Sequence, residues 1–186
     1  MAAVPPLCDF GWKPDDAILL ATDDNRYSIL DQAGPNGLVV AFICNHCPYV
    51  VAVIDRIVRD ALALKELGVG FVLISSNDVE SYPQDSFENM KLFARRHGFP
   101  VPYLFDETQG VARAWDAVCT PDFFGFDSDL RLQYRGRLDA SRKEAASRDI
   151  RRDLYEAMKQ IAETGIGPEN QIASMGCSIK WKFAYQ

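Results

Sequence analysis

The chain has 186 residues, of which 48% are apolar and 25% charged, and a net charge of −6. That is enough apolar material for one full core, and an acidic balance without a basic block argues against nucleic acid or an anionic membrane as partner. The longest apolar run, Leu38 to Cys44, is far too short to cross a bilayer.

The start, Met1 to Cys8, has no basic residues and no apolar stretch of signal-peptide length, so the expected compartment is the cytoplasm. Residues up to about Asp24 carry Pro5, Pro6, Gly11 and Pro14 and read as irregular. Tyr27 to Leu30 reads as a short edge strand, and Gly34-Pro35-Asn36-Gly37 as a turn. Leu38 to Ile43 is a continuous apolar run, the pattern of a strand covered on both faces.

Helical spacing follows from Pro48 to Leu67 through Val50, Ile54, Ile57, Val58, Ala61 and Leu64, with Gly68 as its stop. Val69 to Ile74 is a second buried strand. Ser86 is placed to cap a helix through Phe87, Met90 and Phe93 to His97, ended by Gly98. Tyr103 to Phe105 is a short strand, and Thr108 is placed to cap a Gly110–Val118 helix. After Cys119-Thr120-Pro121, the segments Asp122 to Phe126 and Leu130 to Gly136 read as a hairpin turning at Asp127-Ser128-Asp129. Asp149 to Thr164 is a last amphipathic helix, and the tail from Gly165 is turn-rich. Strands alternating with helices predict an α/β fold: one domain over 1–186, with a central mixed sheet flanked by helices, a core of about 27–164 and a tail of 165–186.

The chemistry-bearing feature is Ile43-Cys44-Asn45-His46-Cys47-Pro48, where a buried strand runs into two cysteines and then a helix. A thiol at that junction faces unpaired helical N–H groups, which favour thiolate over thiol. Each pKa unit of depression is worth about 1.4 kcal/mol. A second thiol within reach closes a disulfide, so the implied chemistry is two-electron thiol–disulfide exchange. Five cysteines scattered along the chain do not form a secreted disulfide framework; a close pair in a reducing compartment is more often catalytic or metal-binding.

The element order, the Cys-x-x-Cys after the first core strand and the Thr-Pro before the hairpin together resemble the thioredoxin fold. More narrowly the chain is similar to the redoxin group, which includes the alkyl hydroperoxide reductase and thiol-specific antioxidant proteins. The resemblance covers roughly Tyr27 to Thr164. The segments Ile43 to Val50, Cys119 to Phe124 and Gly176 to Lys182 look like signatures of an uncharacterised bacterial subgroup of it.

The resemblance implies a thiol–disulfide oxidoreductase in which an exposed Cys44 attacks a substrate disulfide and Cys47 resolves it. Disulfide-containing proteins or small thiols would be substrates, and thioredoxin reductase or glutathione the reducing system. No bound cofactor or metal is required. Thr120 and Pro121 would form a cis bond beside the cysteines and pair with an incoming peptide strand. His46 would tune the cysteine pKa as a nearby cation. Proline is tolerated only in a helix's first turn, so the helix is predicted to start near Asn45 or His46, with Asn45 as cap. That leaves Cys47 in the first turn, much like the peroxide-attacking cysteine of peroxiredoxins.

Two alternatives stand beside this reading. One is a peroxiredoxin-like peroxidase using Cys47, although Val40, Cys44 and Thr120 occupy the places where such enzymes carry Pro, Thr and Arg. The other is a Cu- or Zn-binding protein using Cys44, His46 and Cys47. Cys119 and Cys177 are expected to pack, with Cys177 as a conceivable third, resolving thiol. Cys8 is incidental. His97, Trp115, Phe123 and Phe124 read as structural, and Arg135 and Arg137 as a solvated strand face.

Overall fold

The computed structural model describes residues 2–141, 146–147 and 149–183. In chain order its elements are β1 (Ala2–Ala3), β2 (Ile18–Ala21), β3 (Arg26–Ser28), β4 (Leu38–Phe42), α1 (Pro48–Val51), α2 (Ile54–Glu66), β5 (Gly70–Ser75), α3 (Phe87–His97), β6 (Tyr103–Phe105), α4 (Gly110–Ala114), β7 (Cys119–Thr120), β8 (Asp122–Phe126), β9 (Leu132–Gly136), α5 (Asp153–Thr164) and β10 (Gly176–Ser178). Seven strands make the central sheet in the order β3-β2-β6-β5-β4-β8-β9. β4, β5 and β6 run parallel, and the outer strands join antiparallel. The mixed α/β architecture predicted from the sequence is the one observed.

Strand β4 is buried on both faces because its side chains alternate into two cores. Val39, Ala41 and Ile43 pack with Ile57, Ala61 and Leu64 of α2, Met90 and Phe93 of α3, and Leu154, Met158 and Ile161 of α5. Leu38, Val40 and Phe42 pack with Val111, Ala112 and Trp115 on the opposite side. The cysteine loop therefore leaves from the best-buried strand of the sheet.

Helix ends follow local chemistry closely. Ser86 accepts a hydrogen bond from the Asn89 N–H at α3's start, and Gly98 ends the helix at φ +59°. Gly68, at φ +73°, follows the end of α2 as predicted.

Several boundaries differ from the sequence reading. The expected Pro48–Leu67 helix is two helices, α1 and α2, with a turn at Ala52–Val53. Apolar spacing continues through the break because Val50, Val53 and Ile54 all stay buried; periodicity reports a face, not an unbroken backbone. α4 stops at Ala114 because Asp116 takes φ +52°. α5 begins at Asp153, since Ile150 N–H bonds to Ser147 O and the Leu154 N–H to Leu138 O. The edge strand lies at Arg26–Ser28, followed by a 3₁₀ turn at Leu30–Gln32. Three strands fall in segments read as irregular or turn-rich, β1 and β2 near the N-terminus and β10 in the tail.

Arg135 is also not on a solvated face. It is 6% exposed, and its guanidinium lies 3.0 Å from the fully buried Asp122 carboxylate and over the Phe124 ring. Arg137 pairs with Asp153 at 2.7 Å. Burial pushes the Asp122 carboxyl up to about 7, against the opposing pull of Arg135. Asp122 therefore binds its proton more tightly in the folded protein than in the unfolded chain, and its contribution lowers stability as pH rises from about 4 to about 7. Removing the arginine leaves that carboxylate unpaired. Arg135→Met should cost about 3–5 kcal/mol at pH 8, and the loss should shrink below pH 6 as Asp122 takes up its proton; urea titrations at the two pH values measure both.

Candidate active site

β4 delivers the chain to Cys44, and a short loop through Asn45 and His46 leads into α1. The helix starts later than predicted: Cys47 is its cap residue and Pro48 its first helical position. Proline fits there because the missing N–H has no intrahelical role. Asn45, expected as the cap, instead locks the loop. Its N–H donates to Asp85 Oδ1 (2.8 Å), its Nδ2 donates to Gln84 O (3.1 Å), and its Oδ1 accepts from Tyr103 OH (3.0 Å).

Thr120-Pro121 faces the cysteines and its peptide bond is cis. Cys44 Sγ lies 3.4 Å from Thr120 Oγ1, and Cys47 Sγ lies 3.2 Å from Thr120 O. The structure therefore brings Cys44, Cys47, Thr120 and Pro121 to one place. The expected exposure of Cys44 is not found: Cys44 is 1% exposed and Cys47 fully buried. The cause is the tail. β10 lies antiparallel on β7, with Cys177 opposite Thr120 and Ser178 opposite Cys119, and β1 covers its other edge. The strand edge expected to receive a substrate peptide is thus occupied by the chain's own tail. Gly176 permits this approach, because a Cβ there would lie 1.9 Å from the Thr120 carbonyl oxygen.

The protonation pattern also differs from the sequence reading, which made Cys44 the attacking sulfur. Cys47 is the acidic thiol, brought from 9.0 down to about 5 by a hydrogen bond from Cys44 and, against the cost of burial, by the Cys177 thiol and N–H and the Val50 N–H. Cys44 is pushed well up, by its hydrogen bond to Cys47, by burial and by the Asp85 carboxylate. One proton shared between neighbouring sulfurs settles on Cys44. The Thr120 carbonyl alone would favour a Cys47 thiol; the converging donors outweigh it.

His46 Nδ1 lies 2.8 Å from Asp85 Oδ2, and its ring stacks on Tyr82. Asp85 therefore holds the ring beside Cys44. Asp85, fully buried, was not singled out from the sequence, since nothing in Tyr82-Pro83-Gln84-Asp85-Ser86 distinguishes it from a surface turn. Asp85 also accepts from Asn77 Nδ2 at 2.7 Å, and so ties the cysteine loop to the segment after β5. Cys44, His46 and Asp85 present ligand atoms within 4.8 Å of one another, close enough to share a cation. A cation there would compete with the donors that already occupy the Asp85 carboxylate.

Cys119 is buried with its thiol raised by desolvation, Cys8 is half-buried and raised to about 11 by the same cause, and His97 sits 3.4 Å from Asp55 on α2, apart from the sulfurs. A cleft of about 130 Å³ opens beside Pro121, lined by Tyr49 and Val53 on one side and Ser174 and Met175 of the tail on the other. Ligand pockets usually run to about 300–1,000 Å³, so this one suits a single side chain or a small thiol.

A mixed sheet with a cysteine pair at the junction of a central strand and a helix, facing a cis-proline, defines a thioredoxin-like protein. The chain belongs to the Redoxin family, whose model matches residues 10–154. It is similar over 100% of its length to an uncharacterized conserved protein from Geobacillus kaustophilus, at 43% identity, TM-score 0.93 and 98% coverage of that chain. A hypothetical protein from Sinorhizobium meliloti 1021 is 31% identical, with TM-score 0.91 and coverage of 97% of this chain and 99% of that one. The thioredoxin domain of a thiol-disulfide oxidoreductase from Bacteroides vulgatus shares the fold, at 15% identity and TM-score 0.58 over 72% of this chain and 89% of that one. No curated protein matches the chain.

The ultraviolet absorbance of the reduced protein should show one thiolate titrating near pH 5, absent in Cys47→Ser and shifted upward in Cys44→Ala, which lacks the largest donor. Because the folded pKa lies below the unfolded one, the Cys47 thiolate's stabilisation is complete above about pH 9 and gone below about pH 5. Gly176→Val should lift β10 from β7. We expect a loss of about 1–3 kcal/mol and faster iodoacetamide labelling of Cys44 and Cys47, read by peptide mass spectrometry.

Proposed function

We propose that this protein is a thiol–disulfide oxidoreductase in which Cys47 attacks and Cys44 resolves. The observation that carries the reading is the contact between the two thiols, with Cys47 held as thiolate by donors that include Cys44 itself. In the first step the Cys47 thiolate attacks a substrate disulfide, forms a mixed disulfide and releases one substrate thiolate. The Cys44 proton passes to that leaving group. Cys44 then attacks Cys47, releases the second substrate thiolate and leaves a Cys44–Cys47 disulfide, so the substrate gains the two electrons that the protein loses. An external thiol reductant, glutathione or a thioredoxin-type reducing system, returns the pair to the dithiol.

The acidity of Cys47 also raises the reduction potential of the pair. At pH 7 its thiolate stabilises the reduced protein, whereas Cys44 is a thiol in any case and adds no opposing cost. The pair should therefore be more oxidising than thioredoxin's, which lies near −270 mV. The narrow cleft beside Pro121 and the tail over β7 favour a small disulfide over a folded protein.

A peroxidase reading would use the same Cys47 thiolate. Among the described contacts Arg135, a cation that could hold a peroxide, is turned to Asp122 and to the Asp116 carbonyl. The polar groups described around Cys47 are the Cys44 and Cys177 thiols, the Cys177 and Val50 N–H groups and the Thr120 carbonyl, and none is a cation.

Turnover of hydroxyethyl disulfide and of hydrogen peroxide, each with glutathione as reductant, tests the assignment. Cys47→Ser should abolish disulfide turnover. Cys44→Ala should lower it by roughly 10²-fold or more, having lost both the proton donor and the resolving thiol. Wild-type activity should be flat from pH 6 to 8 and fall below about pH 5 as Cys47 protonates. Peroxide turnover exceeding disulfide turnover, or full activity in Cys47→Ser, would overturn it.

A further inference from the structure

We propose that Cys177 is a third redox thiol of this site, which resolves mixed disulfides on Cys47 from the tail strand β10. This rests on the reading above that Cys47 is the attacking sulfur. The placement of β10 carries it. β10 occupies the edge of β7 beside Pro121, the position an incoming substrate strand would take, and it sets Cys177 opposite Thr120. Thr120 in turn touches both other sulfurs, through Oγ1 to Cys44 and through its carbonyl oxygen to Cys47. Cys177 packs against the core cluster that holds Cys44 and Cys47, and its thiol and N–H help to lower the Cys47 pKa.

The tail is built to hold Cys177 there. Just beyond it, the Ile179 N–H donates to Val118 O (3.0 Å) and the Ile179 side chain is buried. The Lys180 N–H donates to Asn77 Oδ1 (2.9 Å), and Lys180 O accepts from the Asp78 N–H (2.8 Å) and Gln109 Nε2 (2.7 Å). On the other side, Gly176 closes against the Thr120 carbonyl. Cys177 is nevertheless partly exposed, whereas Cys44 is sealed. Of the two thiols touching Cys47, Cys177 stands on the solvent side, where a substrate group must arrive and leave.

The step balances as ordinary exchange. With oxidised glutathione, Cys47 first carries glutathione in a mixed disulfide. Cys177 gives its proton to solvent, attacks Cys47 Sγ and forms a Cys47–Cys177 disulfide; the Cys47–glutathione bond breaks, and glutathione leaves as thiolate and takes up a proton. Attack by Cys44 on Cys47 then yields Cys44–Cys47 and returns Cys177 to the thiol. β10 thus acts as an internal substrate strand, one exchange away from the working disulfide.

The experiment treats reduced full-length Cys44→Ser, Cys177→Ser and Cys44→Ser/Cys177→Ser proteins with oxidised glutathione, quenches with N-ethylmaleimide and maps disulfides by peptide mass spectrometry. Circular dichroism confirms folding of each. In Cys44→Ser we expect a Cys47–Cys177 cross-linked peptide and a Cys47–glutathione adduct at about a tenth or less of its level in the double variant. In Cys177→Ser the Cys44–Cys47 disulfide should still form. Equal adduct in Cys44→Ser and the double variant, with Cys177 alkylated, overturns the role of Cys177 but leaves the Cys44–Cys47 reading standing. Absence of any Cys47 adduct in the double variant, with no Cys44–Cys47 disulfide in Cys177→Ser, overturns both.

Discussion

The pairing of β10 with β7 is the constraint on which the site depends. Cys119-Thr120 is only a two-residue strand, and by itself it would leave the Thr120 carbonyl, the cis-proline and two sulfurs facing water. Laying the tail across it removes both cysteines from solvent and supplies two of the donors that hold Cys47 as thiolate. The same tail anchors through Lys180 to Asn77, and Asn77 reaches Asp85, which holds the Asn45 N–H. The strand that covers the sulfurs is therefore connected by hydrogen bonds to the loop that carries them.

Two buried carboxylates show how charge is managed around this arrangement. Asp85 is compensated by His46 and by donors from Asn45 and Asn77, and its field keeps the Cys44 proton in place. Asp122, next to the cis-proline, is paired with Arg135 and still titrates near 7 because desolvation dominates. Negative charge is thus kept beside Cys44, while hydrogen-bond donors gather at Cys47. Two cysteines separated by two residues acquire opposite protonation states through the hydrogen bond they share, which their surroundings bias.

This division bears on access. A buried nucleophile beside a narrow cleft trades encounter rate for selectivity, since a substrate must either fit next to Pro121 or displace part of the tail. The cleft is bounded by Ser174 and Met175, immediately before β10, so any group entering it meets the start of the tail strand.

Much of the fold was legible locally. The double-faced apolar run of β4, the Ser86 and Gly98 caps of α3, the Gly68 stop and the Thr-Pro before the hairpin each rest on interactions within a few residues, and each appears where the sequence placed it, β4 ending one residue early. The cysteine pair at the strand-to-helix junction is legible for the same reason. What was not legible depends on partners far along the chain. Gly176-Cys177-Ser178 has no strand periodicity to detect and becomes a strand only because β7 and β1 offer it two edges. Asp85 and Arg135 look like surface charges until Asn45, His46, Asn77 and Asp122 are brought against them. Local pattern alone places the two thiols at the junction and names the strand that leads to them. Which of them holds the proton depends on long-range packing, because the hydrogen bond the two thiols share is biased by donors from the tail at Cys47 and by burial and Asp85 at Cys44.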